Sequence, residues 1–140
     1  MENQDHKQQY KLWSGEEQKM YQMGDFNLSM QSDGDIMFAL KNGGMLFYDG
    51  KNHLLRSSGV EDMEGNMIFL SDILEHKWIN GDTGKEETSY FPVIFRNGMF
   101  CTDQSFSKNE SHLEPLCEDA YQCKVVGNMF ENYDLLKSSK

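Results

Sequence analysis

Glycine-containing turns recur about every 8 to 10 residues in this sequence, with short apolar segments between them. Residues 32–35, 42–44 and 49–52 are such turns, and each places glycine next to asparagine or aspartate. This spacing is typical of an antiparallel meander, because too few residues separate the turns for a helix of ordinary length. No stretch sustains a helical period, so the pattern predicts a mainly β protein.

Short apolar or alternating segments predict the positions of the strands. The predicted strands are residues 10–13, 20–23, 26–30, 36–40, 45–48, 54–55, 67–70, 73–79, 91–95, 99–101 and 123–126. Asn97 and Gly98 give the strongest hairpin signal, since both tolerate positive φ. Pro92 is expected near the start of its strand, where a missing N–H donor is tolerated. Residues 113–116 are expected to form one helical turn.

Residues 58–74 form a polar stretch that leads directly into an apolar one. Gly59 and Gly65 lie in its polar part, and Gly65 with Asn66 allows the backbone to reverse tightly. The following residues 67–70 are typical of a buried strand, and Asp72 precedes the next apolar pair. The stretch therefore predicts a strand, a turn and a strand that enters a small β-barrel.

The length of 140 residues fits one domain with a single core, and we assign residues 1–140 to it. A boundary near residues 56–59 divides this domain into two sub-lobes. We predict an antiparallel meander over residues 10–56 and a small SH3-like barrel over residues 57–136. The barrel is expected to end in a short C-terminal helix, which Asn132 caps.

The net charge of −10 limits the possible partners. Thirteen basic against 23 acidic residues argue against direct binding of nucleic acids or anionic membranes, which attract excess Lys and Arg. The residues between Gly59 and Tyr90 are especially acidic. Their charged side chains are Glu61, Asp62, Glu64, Asp72, Glu75, Asp82, Glu86 and Glu87, against Lys77 and Lys85. A solvated face explains such a stretch, and a basic partner is the functional alternative.

Three cysteines without a CxxC pair indicate reduced thiols, as in a cytoplasmic protein. The first residues contain no apolar signal segment, and the longest apolar runs are too short to cross a bilayer. We therefore expect a soluble protein in the cytoplasm. The ten methionines are expected to fill an irregular core, and an adaptable binding surface is the alternative.

Residues with the chemistry of a metal site are few. His112, Cys117 and Cys123 lie close together in sequence, and Cys101 can join them from a neighbouring strand. Structural zinc sites use more closely paired ligands, so we interpret these side chains as incidental or buried. No phosphate-binding glycine loop, nucleophile elbow or HExxH motif occurs. We therefore predict no catalytic, cofactor-binding or metal-binding residue and no cofactor.

Aromatic and histidine side chains offer two further functional interpretations. Two isolated histidines, His53 and His76, are expected at a surface or a strand edge rather than as general bases. Four aromatic rings suggest a base-stacking platform, but such platforms accompany basic grooves, so packing is the favoured interpretation. These rings belong to Trp13, Tyr48, Trp78 and Phe91.

Three segments together resemble one protein family. Residues 10–14, Tyr-Lys-Leu-Trp-Ser, are similar to its opening strand Phe-Arg-Ala-Trp-Asp. Residues 59–73 are similar to its central signature, Gly-Leu-x-Asp-x-Asn-Gly-Lys-x-Ile-x-x-Gly-Asp-Ile. Residues 126–136 are similar to its ending, Ile-Gly-Asn-Ile-Tyr-Glu-Asn-Pro-Glu-Leu-Leu. The chain thus resembles the phage and prophage YopX family, which is named for a Bacillus prophage protein and is unrelated to the Yersinia effectors.

The resemblance covers residues 10–136 and departs from the family pattern at turns. The departures are Glu64 for Asn, Asn66 for Lys, Ser71 for Gly and Tyr133 for Pro. The resemblance implies a mostly β protein that is encoded by a phage or an integrated element and is made in the bacterial cytoplasm. It carries over no catalytic residue, because the family has none assigned.

Three functional hypotheses follow. The leading one is a non-enzymatic accessory protein, a β module that binds a host or phage protein or assembles with copies of itself. The alternative is an acidic antagonist of host defence, which mimics nucleic acid and occupies the basic groove of a host nuclease. The second alternative is a small metal-dependent hydrolase.

Overall fold

The computed structural model describes residues 9–47, 50–105 and 112–138. The protein is mostly β, with 55% strand and 11% helix, and its sheets are antiparallel and include a curled half-barrel. The predicted fold class, an antiparallel meander and a small barrel followed by a short C-terminal helix, is confirmed. The chain divides into two compact units, Met1–Arg56 and Ser57–Lys140. The assignment of residues 1–140 to one domain stays a prediction.

The first unit contains the predicted meander. Its strands are β1 (Tyr10–Ser14), β2 (Lys19–Tyr21), β3 (Phe26–Met30), β4 (Ile36–Leu40), β5 (Met45–Phe47) and the first half of β6 (Asn52–Glu61). Strand β1 pairs with β2 and β6, and β3, β4 and β5 form a three-stranded antiparallel sheet. Leu12, Tyr21, Phe38 and Leu40 form the buried core of this unit because they face inward from alternating strand positions.

The second unit contains a five-stranded sheet with the order β11-β10-β9-β8-β12. Its strands are β7 (Met67–Phe69), β8 (Asp72–Ile79), β9 (Glu86–Arg96), β10 (Met99–Asp103), β11 (Leu113–Pro115) and β12 (Cys123–Asn128). Strand β7 pairs with the second half of β6, where the register shifts between Ser57 and Glu61. The helical elements described in this unit include α1 (Leu116–Asp119) and the 3-10 helices Ala120–Gln122 and Tyr133–Ser138. The core contains Ile68, Leu74 and Val93.

The hairpin predicted at Asn97-Gly98 is confirmed. The two residues have φ of 57° and 81°, and Met99 pairs with Arg96 directly across the turn. The predicted start of the strand before this turn is wrong, because β9 begins at Glu86 and Pro92 lies in its interior. Pairing of β9 with β10 ends at Val93, next to Pro92, so the proline marks the end of that ladder.

Three local predictions differ from the structure. Leu113–Pro115 is a strand rather than a helical turn, because it pairs with β10, and the helix begins after Pro115. Strand β2 ends at Tyr21, so the predicted strand 20–23 is shifted by one residue and shortened. Asn132 lies at the cap position of the terminal helix, where its carbonyl accepts a hydrogen bond from the backbone N of Leu135 at 2.9 Å, but its side-chain Oδ1 accepts from the backbone N of Asn128 at 3.0 Å.

The expectation that methionines fill the core is wrong for the described residues. No described methionine belongs to the buried core. The exposed ones are Met23, Met30, Met45, Met63 and Met99. Among the described residues, no helix is long and apolar enough to span a bilayer.

Candidate functional site

Asp62, from the central segment of the family resemblance, is a buried carboxylate that organises a turn. Its Oδ1 accepts hydrogen bonds from the backbone N of Glu64 and of Asn66, both at 2.9 Å, and its Oδ2 accepts one from the backbone N of Val125 at 2.8 Å. Burial alone would raise the pKa of Asp62. The backbone donors together lower the pKa by more than burial raises it, so the pKa lies below its ordinary value. Asp62 is therefore an ionised structural residue that fastens the turn onto β12.

Ser71 and Asp72 are the second place at which hydrogen bonds hold the central family segment, residues 59–73. Asp72 Oδ2 accepts a hydrogen bond from the backbone N of Phe69 at 2.8 Å and closes the turn between β7 and β8. Ser71 has φ of 73°, a conformation that favours glycine. Its backbone N donates to the carbonyl of Val93, and its carbonyl accepts from the backbone N of Met129. The glycine expected here from the resemblance thus has a conformational explanation.

The C-terminal segment of the resemblance is also a turn. Asn128 Oδ1 accepts hydrogen bonds from the backbone N of Phe130 and of Glu131, both at 2.9 Å. The side chain of Asn132 packs against Gly127 so closely that a Cβ built there would lie 2.4 Å from Asn132 Oδ1. Only glycine fits this position without displacing Asn132. The motif residues therefore explain the fold of the second unit rather than a reaction.

The residues considered for a metal site have separate environments. His112 forms a 2.5 Å contact with Glu114, and Cys117 is exposed on α1. Cys101 and Cys123 are buried, and none of the three cysteines forms a disulfide. Over residues 9–47, 50–105 and 112–138, no group of three His, Cys, Asp or Glu side chains is arranged to hold a metal ion.

Cys123 is a poor nucleophile in this environment. Burial, together with the negative charges of Asp119 and Asp62, raises the pKa of its thiol to about 12. Asp119 is held in place by Thr102 Oγ1 and Gln104 Nε2, which donate to its Oδ2 at 3.0 and 3.2 Å. These buried or partly buried polar groups satisfy one another, an arrangement that sequence spacing could not reveal.

The histidines and aromatic rings occupy different settings. His53 is exposed on β6, as expected. His76 is half-buried on β8, an interior strand of its sheet, against Phe91, so the strand-edge prediction is wrong for His76. Trp13 and Phe91 are buried, which supports the packing interpretation. Trp78 is half-buried and its Nε1 donates to Ser89 Oγ at 3.0 Å. The fourth ring, Tyr48, lies outside the described residues.

The acidic stretch is only partly available to a partner. Asp62 and Asp72 are buried and accept backbone hydrogen bonds. Glu75 lies 3.8 Å from Lys124 Nζ, and Glu87 accepts a hydrogen bond from Asn80. The exposed acids of the stretch are Glu61, Glu64, Asp82 and Glu86. Of the eight acidic side chains that the sequence places in this stretch, four are therefore exposed to a partner.

Two open grooves of about 200 Å³ lie on the described surface, one in each unit. The groove of the first unit is lined by Lys19, Tyr21, Asp25, Lys41 and Asn42. That of the second unit is lined by Met63, Glu64, Glu75, Lys77, Gln122 and Lys124. Neither groove pairs a Ser, Thr or Cys nucleophile with a histidine, so neither has the composition of a hydrolase triad.

Among the described residues, strand β3 lies at the edge of its sheet with no further strand beside it. Gln31 N donates to Asp35 O at 2.7 Å and Lys41 N to Asp25 O at 2.8 Å, and these bonds fix the ladder between β3 and β4. Because hydrogen-bonded and non-bonded pairs alternate, the backbone groups of Phe26, Leu28 and Met30 point away from β4. No described residue forms a hydrogen bond with these outward groups.

The side chains of β3 leave this edge accessible. Leu28 is 42% exposed and Met30 is 67% exposed, although the strand lies next to the buried Phe38. The strand contains no charge, no proline and no register shift, which are the features that usually protect an edge. Sequence alternation predicted that Phe26, Leu28 and Met30 share a face. The alternation could not predict that this strand forms the edge of its sheet.

The other edge strands of the described chain are protected. Strands β2, β5 and β11 have three residues each, which makes them short edges, and β2 and β11 also contain Lys19 and Pro115, respectively. Strand β7 pairs with β6 across a register shift. On β12, the backbone N of Met63 donates to the carbonyl of Cys123 at 2.9 Å, so the Asp62 turn covers the edge. We therefore take the β3 edge as the candidate binding site.

This architecture defines a class of protein: a small, mostly antiparallel β protein whose motif residues build turns and whose β3-β4-β5 sheet ends at strand β3. Residues 9–137 match the family model described as YopX protein, so the chain belongs to the YopX family, as the resemblance predicted. A comparison with curated proteins gives no match.

Two solved structures are similar in fold. The protein yopX from Bacillus subtilis is 18% identical, with 90% of this chain and 95% of that chain covered and a TM-score of 0.60. The protein EF1440 from Enterococcus faecalis is also 18% identical, with 93% and 98% covered and a TM-score of 0.56. At this identity, the two likenesses establish the fold alone.

Proposed function

We propose that this chain is a non-enzymatic accessory protein of phage or prophage origin, which acts in the bacterial cytoplasm by binding another protein through β3. An extended segment of the partner adds to the sheet β3-β4-β5 as a further strand. Such addition gains affinity from backbone hydrogen bonds and specificity from alternate side chains.

The observation that carries the proposal is the set of outward backbone groups on Phe26, Leu28 and Met30. They form a five-residue strand edge whose side chains are uncharged. The exposed Leu28 and Met30 add apolar surface that a partner strand can cover. Methionine side chains are flexible and adapt to different partners, so the exposed Met30 also supports binding at this edge.

A photo-reactive residue at position 27 tests this binding directly. Asn27 is exposed and its neighbours carry the outward groups. The protein, with this residue incorporated, is irradiated in bacterial extract, and the cross-linked partner segment is identified by mass spectrometry. We expect a defined extended segment that cross-links at β3.

Variants of the edge provide the control. Leu28→Lys places a charge on the edge, and Leu28→Pro removes the outward N–H, so both are expected to abolish the cross-link. Met63→Lys changes another exposed apolar side chain, which lies outside β3, and is expected to leave the cross-link unchanged. Circular dichroism shows whether each variant keeps its strands. A folded Leu28→Lys protein that retains the cross-link contradicts the proposal.

The charge distribution favours one second candidate, the acidic antagonist of host defence. Residues 57–140 contain fifteen acidic and seven basic side chains, whereas residues 1–56 contain eight and six. This candidate predicts binding to a basic host nuclease that weakens steeply with salt and that Leu28→Lys leaves unchanged. Absence of binding at low salt removes it. No set of metal ligands supports the hydrolase alternative among the described residues.

A further inference from the structure

The outward groups of β3 are arranged symmetrically about Leu28. Phe26 and Met30 lie two residues on either side of it, and all three expose an N–H and a carbonyl on the same edge. An antiparallel strand with the same spacing therefore satisfies all three residues at once. Such a strand already exists in every molecule of this protein, namely β3 itself.

We infer that a second copy of this chain occupies the β3 edge, with the two β3 strands antiparallel about a two-fold axis at Leu28. In this register, Leu28 pairs with Leu28 of the second copy, and Phe26 pairs with Met30 of the second copy. The pairing joins two three-stranded sheets into one and forms about six backbone hydrogen bonds. The inference rests on the proposed function and names its partner.

The register is selected by the number of groups that it satisfies. A two-fold axis at Asn27 pairs Phe26 with Leu28 but leaves Met30 unpaired with either of them. An axis at Ser29 pairs Leu28 with Met30 and leaves out Phe26 in the same way. The axis at Leu28 is the one that engages Phe26, Leu28 and Met30 together. It also brings the exposed side chains of Leu28 and Met30 against those of the second copy, on one face of the joined sheet.

Charge permits this pairing at β3. The strand itself is uncharged, and the register places Asp25 opposite Gln31 of the second copy, so no carboxylate meets another across the pairing. By contrast, the same symmetric pairing at β11, an edge of the second unit, would place Glu114 opposite itself. Most of the excess negative charge belongs to residues 57–140, and residues 1–56 are nearly balanced.

Cysteine cross-linking tests the register. In a Cys117→Ser background, which removes the exposed thiol, Leu28→Cys brings two thiols into a directly opposed pair with Cα atoms about 5.5 Å apart, within the range of a disulfide. Asn27→Cys is the matched control, because position 27 faces position 29 of the second copy and lies beyond about 7 Å from its own counterpart. A mixture of Asn27→Cys and Ser29→Cys proteins should restore cross-linking between the two variants.

Light scattering on the unmodified chain supplies an independent measurement. We expect a mass that rises with concentration towards twice 16.3 kDa, and Leu28→Lys is expected to remain at one chain. The inference is overturned if the unmodified chain keeps the mass of one chain at every concentration, or if Leu28→Cys and Asn27→Cys cross-link at equal rates. If Leu28→Lys still abolishes the photo-cross-link to another protein, the proposed function stands without self-pairing. If it does not, the proposed function fails as well.

Discussion

Strands β3 and β12 are both edge strands, but they differ in whether another segment of the described chain covers the edge. On β12, the Asp62 carboxylate accepts the N–H of Val125, and Met63 donates to Cys123, so a turn covers the edge. On β3, the corresponding groups of Phe26, Leu28 and Met30 have no partner among the described residues. The difference is that the central family segment provides a turn that covers β12, whereas no segment of the described residues covers β3. The open edge is where function is to be sought.

Replacing Asp62 is the strongest way to break this comparison. Asp62→Ala leaves the backbone N–H groups of Glu64, Asn66 and Val125 without their acceptor, and we expect the free energy of unfolding to fall by about 3–5 kcal/mol. Urea unfolding measures the change. The neighbouring acid Glu61 is exposed, and Glu61→Ala should cost less than about 0.5 kcal/mol. Equal losses in the two variants would show that Asp62 acts only through its charge.

Acidification should remove part of the same contribution. Backbone donors hold the pKa of Asp62 below its ordinary value of 3.8 despite the opposing effect of burial, so the unfolded chain binds a proton more readily than the folded one. The stabilisation is therefore complete above the unfolded pKa and is lost as pH falls through the folded pKa. The stability difference between the natural chain and Asp62→Ala should narrow over that acid range in urea titrations. A difference that stays constant there contradicts the assignment.

Gly127 sharpens the comparison at the other end of β12. A Cβ at this position would lie 2.4 Å from Asn132 Oδ1, so Gly127→Ala must displace a side chain that binds Asn128 N, and we expect a loss of about 2 kcal/mol. Gly81→Ala is the control, because nothing lies within 4 Å of its Cβ. Adding Asn132→Gly, which removes the Oδ1, Cγ and Cβ atoms that would all lie under 3.0 Å from the new Cβ, should make Gly127→Ala much less costly in a double-mutant cycle. If the stability losses of the two single variants simply add in the double variant, the two side chains do not clash and the explanation is wrong.

The sequence predicted the strands and turns well, because alternation and Asn-Gly or Asp-Gly pairs act locally. The hairpin at Asn97-Gly98 and the pairing of Phe26, Leu28 and Met30 on one face are examples. It failed where tertiary pairing decides, as at Leu113–Pro115, whose strand exists only because β10 lies beside it. The open edge could not be predicted at all, since strand order and the covering of β12 depend on residues far apart in sequence.

Ser71 offers the smallest effect and the one of opposite sign. Its φ of 73° is held by hydrogen bonds from its N–H to Val93 and from Met129 to its carbonyl, so the backbone cannot relax the strain of a side chain there. Ser71→Gly should therefore stabilise the second unit by about 0.5–1 kcal/mol, because relief of the left-handed strain exceeds the added entropy of the unfolded chain. Ser71→Ala keeps the strain and should give no gain, which separates backbone relief from loss of the hydroxyl. If thermal unfolding shows equal gains for both variants, the hydroxyl rather than the backbone is unfavourable. In that case, the glycine of the family pattern needs another explanation.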